Sequence, residues 1–178
     1  DSNSLDVTTG ITIESWVNLD SGSIRQSIVS KCPTDSAYQL YMETACSNCY
    51  RFRLSNYSGT TVSADSTTAM IANQWQHIAG TWSNNDSTLR IYINGVQEGT
   101  ATMLGNISVN TGDLTIGKLC SSSAYITDGT LDELRIYNRS LSSAEIDAHS
   151  KASRDEYIFK VLGNFTSQTF DAGGLVNM

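Results

Sequence analysis

Short runs in which apolar and polar residues alternate with a period of two dominate this chain. Ile11, Ile13, Ser15 and Val17 alternate with Thr12, Glu14, Trp16 and Asn18. Tyr38, Leu40 and Met42 alternate with Gln39, Tyr41 and Glu43, and Tyr50, Phe52 and Leu54 with Arg51, Arg53 and Ser55. Successive side chains of a strand point to opposite faces, so each run predicts one buried and one wetter sheet surface. Further strands are expected at 25–30, 60–64, 75–82, 88–94, 96–101, 113–117 and 131–138. Asn94-Gly95 separates two of these runs and tolerates the positive φ angles of a type I′ hairpin turn. Gly112-Asp113 and Asp128-Gly129 mark further turns, and the single proline, Pro33, lies in a loop.

The composition agrees with many strands and many turns. Ser, Thr and Asn number 25, 19 and 13, together 57 of 178 residues, while charged residues make up 16%. That balance disfavours a long charged helix or coiled coil. A formal charge of -7 speaks against a phosphate-binding surface, because nucleic-acid affinity rests on excess Lys and Arg. No apolar run approaches the roughly 20 residues that span a bilayer, so no membrane insertion is expected. At 178 residues the chain sits near the upper side of one ordinary domain. It opens Asp1-Ser2-Asn3-Ser4, without an initiator Met or an apolar leader, and reads as a piece or a processed product of a larger protein.

One helix is expected, over about 143–149. Ser142 and Glu145 have the spacing of a capping box, and Leu141 and Ile146 fall where a hydrophobic staple would sit. The helix should fade in Lys151-Ala152-Ser153-Arg154. Beyond it, Glu156 to Leu162 alternates like a strand, and Phe165 to Phe170 forms a second extended run. The chain thus divides into residues 1–149 and a strand-forming tail, 150–178. The tail either starts a further domain, covers an edge of its own sheet, or adds to the edge of a neighbouring copy. About ten short strands with one late helix argue an all-β, two-sheet antiparallel sandwich.

Four cysteines, Cys32, Cys46, Cys49 and Cys120, suit two disulfides, and they also suit one four-thiolate zinc site or free thiols. Zinc knuckles normally come in pairs, and only Cys46-Ser47-Asn48-Cys49 is a CxxC. It lies between two strand-like runs and not at a helix start, where a redox cysteine would have its pKa lowered. The expected pairing is Cys46–Cys49 across a hairpin tip and Cys32–Cys120 between loops, although four cysteines allow three connectivities. Five Asn-x-Ser/Thr sites, at Asn56, Asn85, Asn106, Asn138 and Asn164, suggest a glycosylated surface. With the cysteines they point to an extracellular or cell-surface address.

Four segments stand out: Gly10-Ile11-Thr12-Ile13-Glu14-Ser15-Trp16-Val17-Asn18, Asn73-Gln74-Trp75-Gln76-His77-Ile78-Ala79-Gly80-Thr81-Trp82, Leu89 to Gly95, and Asp128 to Arg139 followed by Leu141-Ser142 and Glu145-Ile146. Together they resemble the LamG-like jelly roll of the concanavalin A-like lectin/glucanase superfamily. The resemblance covers about residues 4 to 149. It implies two curved antiparallel sheets, often a structural calcium, and secreted adhesive or glycan-binding roles. In such proteins a first strand with an aromatic-Asp-Gly signature, lying before the position of Asp1, pairs beside the closing strand. Without it, Leu131 to Tyr137 would form an open sheet edge, a template for another strand.

The resemblance makes Asp132 the closing-strand carboxylate best placed for calcium; it also reads as a turn cap. For glycans, the outward face of the two alternating hairpin strands offers Gln39, Tyr41, Arg51 and Arg53 beside Glu43, with Tyr125 in the polar loop after Cys120 as a second aromatic. That face also reads as a solvated surface held by Glu–Arg pairs. Trp16, Trp75 and Trp82 read as core. The paired carboxylates of related glucanases, in a Glu-x-Asp-x-x-Glu run, are absent. Asp132 and Glu133 are adjacent on a strand and so should face opposite ways. His77 and His149 have no partner that the sequence reveals. The expected function is a non-catalytic extracellular adhesive or structural module of a surface or fibre protein. It would contact neighbouring domains or other copies of itself, with strand pairing as a route to filaments. The alternative is a calcium-assisted lectin module.

Overall fold

A computed structural model describes residues 5–31, 37–120 and 125–161, with side chains described as far as residue 152. Ten strands form in the expected places: β1 Gly10–Leu19, β2 Gln26–Lys31, β3 Tyr38–Glu43, β4 Cys49–Ser55, β5 Thr61–Ala69, β6 Gln76–Ser83, β7 Thr88–Ile93, β8 Val96–Thr102, β9 Leu114–Ile116 and β10 Gly129–Tyr137. One α-helix, α1, spans Ser143–Val161. The strands make two five-stranded sheets, β10-β1-β6-β7-β8 (the first) and β5-β4-β3-β2-β9 (the second). Every strand pair is antiparallel. This is the sandwich that period-two patterning predicts.

The core lies between the sheets and uses the inward positions of each run. Ile11, Ile13, Val17, Ile78, Trp82, Leu89 and Ile91 face Tyr38, Leu40, Met42, Tyr50, Phe52 and Leu54, all buried. The layers meet most closely at Gly80, where a Cβ would lie 2.3 Å from the Phe52 ring. Glycine is required there because the facing phenylalanine occupies its side-chain space. Trp82 is core, as expected. Trp16 is buried on the other face of β1, against His77, with ring centroids 5.4 Å apart, and Trp75 is half-buried just ahead of β6.

The β7–β8 hairpin turns through Asn94 (φ 50°) and Gly95 (φ 84°), the left-handed pair that the dipeptide predicts. Gly95 also meets α1, since a Cβ there would lie 2.6 Å from Ser150 Oγ. Helix α1 starts at the expected capping box. The Ser142 N–H donates to Glu145 Oε2 (2.8 Å), and the Glu145 N–H donates to Ser142 Oγ (3.3 Å). The Arg139 guanidinium and the Ser142 donors hold the Glu145 carboxyl down to about 2. Leu141 and Ile146, the staple pair, pack with Ala79, Tyr92 and Tyr137 on the outer face of the first sheet.

Two expectations need correction. The helix does not fade near residue 151. It runs to Val161, across the boundary expected at 149/150 and through the run read as a strand at 156–162. Seven alternating residues cannot distinguish strand from helix by pattern alone, and neither Gly nor Pro interrupts 141–162 to stop a capped helix. The second run, Phe165 to Phe170, lies outside the described residues. Strict alternation also fails in β10. A bulge opposite Glu14 and Trp16 puts Glu133 at φ 49° and lets it pair with Arg135. Among the described residues, β10 is an edge of its sheet.

Candidate functional site

The outer face of the second sheet is polar from edge to edge. Cross-strand register aligns Ser63, Arg53, Gln39, Ser30 and Thr115 in one row over β5, β4, β3, β2 and β9. The neighbouring row is Asp65, Arg51, Tyr41 and Ser27. Directly opposed residues of antiparallel strands share a face, so these two rows form one surface.

Charge pairs order one end of it. Arg51 donates two parallel hydrogen bonds to Asp65, from Nε and Nη2, both 2.6 Å. That bidentate fork keeps Arg51 firmly protonated. Arg51 Nη1 lies 3.4 Å from Glu43 Oε2, and Arg25 donates to the same oxygen. Glu43 Oε1 accepts from the Ala45 N–H at 3.2 Å. Burial alone would push the Glu43 carboxyl up. The Arg25 and Ala45 hydrogen bonds and the two guanidinium charges outweigh it and hold the group below the usual carboxylate range.

Arg25 is the centre of a stack. Its guanidinium carbon lies 5.0 Å from the Tyr41 ring centroid and 5.1 Å from that of Tyr125, both within cation–π range. Beside it is a shallow depression lined by Arg25, Ser27, Ser30, Gln39, Tyr41, Leu119 and Tyr125. Tyr125 stands at its rim, 37% exposed, with φ 60°. Its carbonyl accepts from the Ser27 N–H at 3.1 Å. A left-handed conformation costs a non-glycine residue roughly 1–2 kcal/mol, and here it stands a tyrosine beside the guanidinium of Arg25.

All five residues expected to bind a ligand, Gln39, Tyr41, Arg51, Arg53 and Tyr125, belong to this surface. The expectation of Tyr41 as an exposed platform is corrected: Arg25 lies over its ring and only 2% of the residue is exposed. The exposed ring is Tyr125. The sequence places Arg25 only as the first residue of a strand expected at 25–30; the structure starts β2 at Gln26 and leaves Arg25 just ahead of it, and no local pattern announces that its guanidinium lies over Tyr41. The Glu–Arg pairing read as the alternative for this face is also present, at Glu43.

The outer face of the first sheet differs. Both histidines of the chain converge there on Glu14, which is fully buried. Glu14 Oε1 lies 2.8 Å from His149 Nδ1, 3.2 Å from the Tyr137 hydroxyl and 3.4 Å from Arg135 Nη1. Glu14 Oε2 lies 3.7 Å from His77 Nε2 and has no hydrogen-bond partner. Burial, His149 and Arg135 together lower the His77 pKa to about 4. Helix α1 carries His149, so this carboxylate fastens the helix to the sheet.

Other expected sites stand as follows. Asp132 is exposed and its Oδ1 accepts from the Glu133 N–H at 2.8 Å, a turn cap. Among the described residues Asp132 belongs to no cluster of three or more metal-type side chains. The only described trio of clustered metal-type ligands is Cys46, Cys49 and Asp65, and those two cysteines are joined in the expected disulfide. Cys120 is also disulfide-bonded, while Cys32 lies outside the described residues. Asn56 is 9% exposed, with Nδ2 donating to the Leu104 carbonyl at 2.9 Å, so the fold does not present it to a glycan. Asn85, Asn106 and Asn138 are exposed, and Asn164 lies outside the described residues. Glu43 and Asp65 are both tied to the guanidinium of Arg51. Arg25 and Arg51 hold the Glu43 carboxyl below the usual range, whereas a glycosidase acid needs a raised one.

Comparison with known proteins places this architecture. No curated protein sequence matches the chain. The sialyllactose-bound CBM40 of a Ruminococcus gnavus IT-sialidase shares the fold with a TM-score of 0.70 at 19% identity, over 83% of this chain and 85% of that one. The heptameric SAP-like pentraxin of Limulus polyphemus gives 0.65 at 17% identity, over 80% and 72%. The binding domain of Paraclostridial Mosquitocidal Protein 1 gives 0.67 at 18% identity, over 86% of this chain but 40% of that longer one. At such identities the likeness is one of fold. The family model for concanavalin A-like lectin/glucanases matches residues 1–147, and the chain therefore belongs to that superfamily.

Proposed function

We propose that this chain is a non-catalytic carbohydrate-binding module of an extracellular protein, and that it holds saccharides on the outer face of its second sheet. The observation that carries this reading is the Tyr41–Arg25–Tyr125 stack beside a shallow depression lined by Gln39, Ser27 and Ser30. Sugars present apolar C–H faces and rings of hydroxyls. The exposed Tyr125 ring beside the partly exposed guanidinium groups of Arg25 and Arg53 complements both, while Gln39, Ser27 and Ser30 are buried and form the floor beneath them. The oxidised cysteines support the extracellular setting. Two structures of the same fold support the ligand class, the sialyllactose-bound CBM40 and a putative carbohydrate-binding protein from Bacteroides ovatus with a TM-score of 0.66.

A glycan array with and without calcium tests this. Binding should survive chelation and fall at least tenfold in Tyr125→Ala. An array with no hits, or hits that Tyr125→Ala leaves intact, overturns the site.

A second reading, self-assembly by strand pairing, is favoured by one observation. Among the described residues β10 is a nine-residue edge strand whose Leu131, Leu134 and Ile136 pack on the core while only partly buried. Sedimentation over a wide concentration range should show association that Ile136→Lys suppresses; a monomer throughout rules it out.

A further inference from the structure

We infer that the saccharide held by this face carries a single acidic group, a carboxylate or a sulfate, and that Arg53 is the residue that reads it. The inference rests on the carbohydrate-binding reading and adds the ligand's charge.

It begins with the pairing of the arginines. Arg25 pairs with Glu43, Arg51 with Asp65 and Glu43, Arg90 with Asp86, Arg135 with Glu133 and Glu14, and Arg139 with Glu145. Arg53 alone among the described arginines has no carboxylate within 4.0 Å. In a chain of net charge -7, with 18 acidic residues against 11 basic ones, an unneutralised arginine is not for want of acids.

Its position gives that charge a use. Arg53 stands on β4 two residues from Arg51, and so on the same face. The two are treated oppositely: Arg51 faces Asp65 across the β4–β5 pair, while Arg53 faces Ser63. On its other side is Gln39, followed by Ser30 and Thr115. One positive charge therefore sits in a row of neutral side chains, beside the partly exposed Ser63 and the buried Gln39 and Ser30, and the row runs to the depression whose floor Gln39, Ser30 and Tyr41 form. Arg53 is partly buried, so it has lost part of its hydration without gaining an internal counter-charge. A ligand anion would supply that counter-charge, and a planar guanidinium matches carboxylate or sulfate with two parallel bonds.

The same charges limit the ligand. A polyanion needs several free cations and would be repelled by the net negative charge. One free arginine suits one acidic sugar within an otherwise neutral glycan.

Titration calorimetry at two salt concentrations tests this with matched oligosaccharides, ending in a sialic or uronic acid, a monosulfated sugar, or the neutral parent. The acidic forms should bind at least tenfold more tightly than the neutral one and weaken with salt. Whichever acid binds separates carboxylate from sulfate. Arg53→Gln should bring acidic and neutral forms to the same affinity without lowering the melting temperature, because no internal counter-charge is lost. Arg53→Lys should restore part of the preference, and Tyr125→Ala should weaken every sugar alike. Equal binding of acidic and neutral forms, or a preference that survives Arg53→Gln, overturns the inference and leaves the carbohydrate site standing. No binding of any sugar overturns both.

Discussion

The two outer faces of this sandwich are built from the same alternating pattern and end in opposite states. On the first sheet, helix α1 covers a buried carboxylate, Glu14, that gathers His149, Tyr137, Arg135 and His77. On the second, Arg25, Tyr41 and Tyr125 stack around a depression at the surface, and one arginine stays unpaired. A polar group inside a covered face must find partners within the protein, because water is excluded. A polar group on an open face can keep its bonding capacity for something else. On the reading proposed here, the covered face serves stability and the face that carries Arg53 and Tyr125 serves recognition, although both read as polar positions of a strand.

The largest test of this contrast is Glu14→Ala. Removing one member of a buried charge cluster typically costs about 3–5 kcal/mol. Arg135 and His149 are partly exposed here and rehydrate, so a loss nearer 2–3 kcal/mol is expected, read by denaturant unfolding. Helical circular dichroism should fall as α1 loosens, while glycan binding at the second sheet should persist. Loss of binding with the fold intact would show that the faces are coupled.

A pH titration sharpens the comparison. His77 is held at about 4 by burial and by the charges of His149 and Arg135. Between about pH 6.5 and 4 the unfolded chain takes a proton that the native imidazole refuses, so stability falls as pH falls through that window. The slope amounts to on the order of 3 kcal/mol by pH 4. His77→Gln should flatten it. Glu43 on the open face has a lowered pKa, so its contribution is kept above the usual carboxylate range and lost only as pH falls through its lower native value. Binding that depends on Arg25 and Arg51 should therefore survive to a lower pH than the full stability of the fold.

The smallest expected effect is at Asp132. Its side chain caps its own turn on the exposed edge strand, so Asp132→Asn should change stability by less than about 0.5 kcal/mol, with or without calcium. A calcium-dependent rise in melting temperature that this variant abolishes would assign Asp132 to a metal site.

Much of this molecule was legible before any coordinates. All ten expected strands form, three of them read from explicit alternation, Asn94-Gly95 announced its hairpin, and Ser142 with Glu145 marked where α1 begins. These are local signals, because a strand's two faces, a turn's φ angles and a helix cap depend on residues within a few positions of one another. The end of α1 was not legible, since a short apolar run fits either period. The pairing of Glu14 with His149, 135 positions apart, was not legible either. Nor was the placement of Arg25 over Tyr41, or the contrast between a neutralised Arg51 and an unneutralised Arg53. The chain's own pattern determined that there would be two sheets with one dry face each. Which wet face would be sealed, and which arginine left without a counter-charge, depended on strand order, register and the docking of α1. Those are set by contacts between distant segments, and a one-dimensional pattern does not encode which segments will meet.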